Sequence, residues 1–243
     1  MSVHFRTAVV TGASRGFGRA IAAALVAAGT NTFGIARDGR ELRAVRDELG
    51  DAFTPVAADA TDEALAENLI RDHRPDLLVL NAGATPHMAP VHEQTWETFS
   101  RNWHVDTRHA FTWIRAALRE PLAPGSVVVA MSSGAASGGS PLSGGYASAK
   151  AAIRYLGGYA NDESARAGLD LRFVTVLPPL TPQGVGLVGV DGYAAREGVD
   201  RDTFVERLQP VPTPEQVAKA VMEVTRGSAA EYRLSATGPH PIS

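Results

Sequence analysis

The sequence predicts an α/β fold: one domain over residues 1–243, built on a doubly wound parallel sheet of about seven strands with helices on both faces. Three observations carry that prediction. Short runs of buried-type residues alternate with helical stretches of roughly 10–15 residues, the pattern of right-handed crossovers. The first run leads into a glycine-rich turn and an alanine-rich helix. A chain of 243 residues, 44% hydrophobic and 20% charged, can bury one sizeable core but is too short for two ordinary domains and a linker.

The elements follow in order. Thr7 to Val10 read as a short buried strand, followed by TGASRGFG and a helix from Arg19 to Ala28 that Gly29 closes. Thr32 to Ala36 give a second strand and Glu41 to Leu49 a polar helix. A third strand near Phe53 to Ala58 leads through Asp59 to a helix starting around Asp62. Leu77 to Leu80 form a compact apolar strand that stops at Asn81, Ala82 and Gly83. A longer irregular segment comes next, then an aromatic helical region from Trp96 to Trp113. Its three tryptophans read as helix packing rather than a ligand stack. Val127 to Met131 are a fifth strand, followed by a helix carrying Tyr146. Leu171 to Leu177 are a sixth. Thr213, Pro214 and Glu215 have the N-cap, N1 and first-turn preferences of a late helix, and Glu231 to Ala236 supply a last strand. Residues 180–210 hold five glycines and the apolar residues Val185, Leu187, Val188, Val190 and Tyr193, which read as exposed. Over the carboxyl edge of a sheet, such a segment is a substrate lid for a partly hydrophobic molecule.

Composition excludes several classes. A formal charge of -3 and a pI near 6.2, with scattered basic residues, offer no field for nucleic acid. The chain has no cysteine, hence no disulfide, thiolate metal site or cysteine nucleophile, which fits a cytoplasmic protein. The first ten residues show no signal-peptide pattern, and the longest apolar helix, Ala20 to Ala28, is far short of a membrane span. His87, His92, His104 and His109 fall in one region, but without Cys or a tight carboxylate cluster they read as polar surface or pocket residues rather than metal ligands.

Two stretches carry chemistry. Gly12, Gly16 and Gly18 lie between the first strand and helix, where backbone amides and the helix N-terminus can hold a pyrophosphate. At the end of the second strand, where an acid would bind both ribose hydroxyls of NAD, the chain has Ala36 and then Arg37. With Arg15 in the turn, two guanidinium groups suit a 2'-phosphate, which favours NADP(H) over NAD(H). The second stretch is SSGAASGGSPLSGGYASAK, from Ser132 to Lys150. It puts Ser133 at a strand end and sets Tyr146 and Lys150 one turn apart on a helix face. A phenol is a poor acid or base at neutral pH, its ordinary pKa being near ~10, and an ammonium fixed beside it favours the phenolate. Ser133 can donate a hydrogen bond to a substrate oxygen, while Ser132 reads as a strand-end serine bonded to backbone.

These motifs, in this order, resemble the short-chain dehydrogenase/reductase family over nearly the whole chain. TGASRGFG resembles the family's cofactor turn, Asp59 its adenine-contacting acid, Asn81 to Gly83 its NAG motif, and Ser133, Tyr146 and Lys150 its catalytic set. The resemblance implies a Rossmann fold. It also implies cofactor contacts from Gly12, Ser14, Arg15, Gly16, Phe17, Gly18, Arg37, Asp59, Ala60, Asn81, Ala82, Gly83 and Pro178, with Tyr146 and Lys150 serving cofactor and catalysis alike. Tyr146 would be the general acid for carbonyl reduction, Ser133 would steady the carbonyl oxygen, and Lys150 would assist Tyr146 while binding the nicotinamide ribose. A homodimer or homotetramer paired through the long helices flanking the Ser-to-Lys stretch is implied as well.

Two positions depart from the family pattern. Val105, Asp106 and Thr107 stand where a catalytic Asn is usual, so Asp106, rather than the nearby Asn102, takes that place. Pro178 and Pro179 replace the usual Pro-Gly, and the second proline removes an amide donor. The expected activity is that of an NADP(H)-dependent ketoreductase acting on a carbonyl or secondary alcohol in a small to medium organic molecule. Two rivals are a cofactor-binding sensor or partner subunit without turnover, and an epimerase or dehydratase using the same site.

Overall fold

The computed structural model describes residues 5–242. Eight strands form one sheet in the order β3-β2-β1-β4-β5-β6-β7-β8. They are β1 (Thr7–Thr11), β2 (Asn31–Ala36), β3 (Phe53–Ala57), β4 (Leu77–Leu80), β5 (Val127–Met131), β6 (Arg172–Leu177), β7 (Glu231–Ser235) and β8 (Gly238–Pro241). The first seven are mutually parallel, and β8 turns back antiparallel against β7. Strand order reverses between β1 and β4, which makes a crevice at the carboxyl ends of the strands.

Helices cover both faces, and the strands alternate accordingly. Val10, Val79, Val129 and Val174 point into a core shared with α1 (Gly16–Ala27), α2 (Gly39–Leu49) and α10 (Pro214–Val224). Their neighbours Val9, Leu78, Val128 and Phe173 point into a second core with α3 (Glu63–His73), α5 (Arg108–Arg119) and α7 (Gly144–Ala167). Burial on both sides is why β4 and β5 are unbroken apolar runs rather than alternating ones. Helix starts follow capping chemistry: Asp38 accepts from the amides of Arg40 and Glu41, Asp62 from those of Ala64 and Leu65, and Thr213 forms a capping box with Gln216 behind Pro214.

Several expectations are corrected. The eighth strand was not foreseen, and α1 begins at Gly16, inside the glycine turn. The aromatic region is α4 (Trp96–Asn102), a π-helical turn over Trp103–Thr107 and then α5. Trp113 is buried as expected; Trp96 and Trp103 are more exposed, Trp96 stacking on Phe99 and Trp103 Nε1 donating to Ser148 Oγ on α7. The 180–210 segment holds two helices, α8 (Gly186–Glu197) and α9 (Arg201–Leu208), around a small core of Val190, Ala194 and Phe204. Val190, read as exposed, is fully buried there. A short helix, α6 (Ala135–Gly138), precedes α7. The helix α7 crosses α4 so closely that a Cβ on Gly145 would lie 1.9 Å from the Phe99 carbonyl oxygen. No helix among the described residues is long and apolar enough to cross a membrane.

Candidate active site

The carboxyl ends of β1, β2, β4, β5 and β6 open onto one cleft of about 990 Å3. Every residue singled out in the sequence for a cofactor or catalytic role lines it except Gly18. Gly18 is buried inside the turn instead, where a Cβ would lie 2.1 Å from the Gly12 carbonyl oxygen and 2.6 Å from Asn81 Nδ2. Its place in the motif is therefore close packing within the turn. Asn81 completes that packing: its Nδ2 donates to the Thr11 and Gly12 carbonyls, and its amide donates to Thr11 Oγ1.

At one end of the cleft α1 begins with no acidic residue in its first turn and no side-chain bond from its N-cap, Arg15. Its leading amides are thus free to bind an anion. Gly16 has a φ of +55° and nothing within 4 Å of where a Cβ would be, so the floor there is open. These features fit the pyrophosphate of a dinucleotide. Arg15 and Arg37 are exposed on the same wall. Asp38, which the sequence reading did not consider, also lines it, but its carboxylate is engaged in capping α2, and the amides of Arg40 and Glu41 hold its pKa below the usual range. Asp59 is held low by the Thr61 amide and hydroxyl, then by Arg37 and Arg108. Trp113 Nε1 donates to the Ala60 carbonyl at 2.9 Å and fixes this corner.

At the other end α7 places Tyr146 and Lys150 beside the end of β5. Lys150 Nζ lies 5.6 Å from the centre of the Tyr146 ring and donates to the Met131 carbonyl at 3.0 Å. It also lies 3.2 Å from Asp106 Oδ2, a pair whose side chains are 6% and 1% exposed. Burial opposes the Lys150 charge, but Asp106 and Tyr146 outweigh it and hold its pKa above the ordinary value. Asp106 also accepts from the Ala84 amide (2.8 Å) and from Asn102 Nδ2 (3.3 Å). Asp106 therefore meets Lys150 directly, with Asn102 standing behind it and bonded to the Ala84 carbonyl. Ser133 is half-buried in the cleft, and its Oγ accepts from the Ala135 amide. Ser132 donates to the Lys150 carbonyl at 2.8 Å, the backbone role expected of it. Pro178 is buried, and its carbonyl accepts from the Gly134 amide.

The four histidines do not converge. Among the described residues no group of three or more His, Cys, Asp or Glu is placed to hold a metal. His109 is fully buried, and burial, then the Lys150 charge, push its pKa down to about 3. Sequence reasoning missed Ser140, Ser143, Thr181 and Met88, which line the cleft beside Tyr146. Ser140 and Ser143 stood within the quoted stretch, yet nothing in their spacing marked them.

A family model described as short chain dehydrogenase matches residues 6–184. The chain is 32% identical to a sorbitol dehydrogenase of Cereibacter sphaeroides over 209 residues, covering 83% of this chain and 80% of that protein. It is 43% identical over 97 residues to a probable NADP-dependent dehydrogenase of Dichelobacter nodosus, covering 37% of this chain and 92% of that one. Over 90 residues it is 40% identical to a 3-oxoacyl-(acyl-carrier-protein) reductase of Salmonella typhimurium, covering 35% of this chain and 37% of that enzyme. Sheet topology, the glycine turn at the switch point and these matches agree: the chain belongs to the short-chain dehydrogenase/reductase family of oxidoreductases.

Proposed function

We propose that the protein is an NADP(H)-dependent oxidoreductase that reduces a carbonyl, or oxidises a secondary alcohol, in a small to medium and partly hydrophobic organic molecule. The observation that carries this reading is one continuous cleft with an open, anion-ready helix start at one end and Ser133, Tyr146 and a charged Lys150 at the other. A bound nicotinamide supplies the hydride in reduction and accepts it in the reverse direction. Tyr146 gives its phenolic proton to the carbonyl oxygen as the alcohol forms. Ser133 Oγ accepts from the Ala135 amide, which leaves its own proton free to donate to the same carbonyl oxygen. Lys150 is held by the Met131 carbonyl and Asp106, so its charge stands beside the phenol without a mobile side chain. Asp106 keeps the Lys150 ammonium in place and charged.

The preference for NADP(H) rests on Arg15 and Arg37 and on the engagement of Asp38 elsewhere; the Dichelobacter relative bears the same cofactor in its name. The segment 180–210 acts as the lid, with Leu180, Val185 and Met88 as the apolar wall of the substrate space. The protein assembles as a homo-oligomer through α5 and α7, where Phe111, Tyr155 and Tyr159 stand 47%, 66% and 62% exposed on adjoining faces.

NADPH consumption against a panel of ketones, diketones and quinones tests the reading, with NADH in parallel and Tyr146→Phe as control. Turnover that vanishes in the variant is expected. Turnover that survives it removes Tyr146 from the chemistry, and equal use of NADH refutes the cofactor assignment.

A further inference from the structure

Two serines missed in the sequence and Tyr193, read there only as an exposed lid residue, form a chain of hydroxyls along one wall of the cleft. Tyr193 on α8 bonds through its hydroxyl to Ser140 Oγ, and Ser140 Oγ bonds to Ser143 Oγ, each at 2.5 Å. All three line the cleft with Tyr146. Ser143 is the N-cap residue of α7, a position where a serine ordinarily spends its hydroxyl on a first-turn amide. Here it makes no such bond and turns to Ser140 instead, although it is only 5% exposed. Helix capping therefore does not account for this hydroxyl.

Tyr193 is equally well held. Its ring stacks on Phe204 at 6.4 Å and 10°, within the separate core of α8 and α9. The neighbouring Gly192 sits so close that a Cβ would lie 2.9 Å from Met88 Cε, which docks α8 on the segment after β4. Met88, Leu180 and Val185 supply an apolar wall, while Ser140, Ser143 and Tyr193 supply a wall of groups that each donate and accept. Ser143 precedes Tyr146 by three positions and both line the cleft, so one bound substrate can meet both.

We propose that Ser140, Ser143 and Tyr193 form a hydroxyl-reading subsite, and that the substrate carries at least one further hydroxyl besides its reacting oxygen. The inference rests on the oxidoreductase reading above and narrows its substrate class to hydroxylated ketones and their polyols. A substrate hydroxyl inserts into the chain, donating to one member and accepting from another, so no polar group is left unmatched. An unsubstituted ketone leaves the chain intact and gains nothing from it.

The test compares D-fructose with 2-hexanone in reduction, and D-sorbitol binding by saturation-transfer NMR, in wild type, Tyr193→Phe and Ser140→Ala. Tyr193→Phe keeps the stack on Phe204, so the fold survives. Each variant is expected to lower the fructose-to-hexanone ratio of kcat/KM about three- to tenfold, the range for one neutral hydrogen bond, mainly through KM, and to weaken D-sorbitol binding alike. An unchanged ratio overturns the proposal, as does a wild type that neither turns over fructose nor binds D-sorbitol. Tyr193-dependent binding of D-sorbitol without Tyr146-dependent turnover upholds the subsite and sinks the reading of catalysis.

Discussion

Asp106→Asn removes one charge from a buried pair while keeping the side chain's shape and much of its hydrogen-bonding capacity. With Lys150 Nζ 3.2 Å from Asp106 Oδ2, Coulomb's law at an effective dielectric constant of about 20 gives an attraction of about 5 kcal/mol before desolvation. Breaking a buried pair from one side costs about 3–5 kcal/mol. The loss has a ceiling, because Lys150 can shed its proton: for an amine of ordinary pKa near ~10.4, neutralisation at pH 7 costs about 4.6 kcal/mol. The variant is expected to lose about 3–4 kcal/mol near neutral pH. The sign of the pH dependence follows from Lys150. In the wild type its folded value is raised, so its contribution is present below the unfolded value and is lost as pH rises through the folded one. In the variant burial remains without the Asp106 charge, so the folded value drops and stability climbs with pH. The deficit is therefore largest near neutrality and narrows toward alkaline pH. Urea denaturation at about pH 7 and about pH 9.5 measures it, and a deficit that is absent or flat refutes the ion-pair reasoning. Turnover persists, and the alkaline limb of the pH–activity profile moves to lower pH, because the Lys150 proton is lost earlier without the Asp106 charge. An unchanged profile with an unchanged rate removes Asp106 from the mechanism.

Arg37→Ala is expected to lower kcat/KM for NADPH about tenfold with little effect on NADH, the scale of one hydrogen bond to a charged group; steady-state kinetics with both cofactors checks it, and an equal loss with both assigns Arg37 elsewhere. Gly145→Ala drives a methyl into the Phe99 carbonyl and is expected to cost upward of about 3 kcal/mol in chemical denaturation, since overpacking against backbone has no cheap relief. Phe111→Glu together with Tyr155→Glu is expected to leave a folded monomer in analytical ultracentrifugation; an unaltered oligomer rules out the α5 and α7 faces as the interface.

Legibility in the sequence followed the range of the forces. The apolar runs Leu77–Leu80 and Val127–Met131 and the Thr213–Pro214 helix start stand out because burial and capping act on adjacent residues. The strand Gly238–Pro241 does not, since a glycine and two prolines argue against it, and it forms because β7 offers a partner. The helix α8 is masked by Gly186, Gly189 and Gly192 and is held by Val190 and Ala194 packing on Phe204, a contact between elements. Tyr146 and Lys150 were legible from their spacing on one helix. The Asp106–Lys150 contact depends on a π-helical turn and a helix crossing that no local pattern encodes. The bond between Tyr193 and Ser140, 53 residues apart, is equally hidden.

The two rims of the sheet share a further property. Ile242 donates to the Glu231 carbonyl, so along β8 the donors of alternate residues face β7, and Pro239 and Pro241 occupy the places whose donors would face outward. On the opposite rim Ala58 donates to the Ala36 carbonyl, which puts Pro55 of β3 in the outward phase as well. Each rim thus has its outward N–H series interrupted by proline, which weakens it as a template for a stray strand. Growth of the sheet by templating is thus disfavoured at both margins, which shifts the burden of self-association to side chains on its helical flanks.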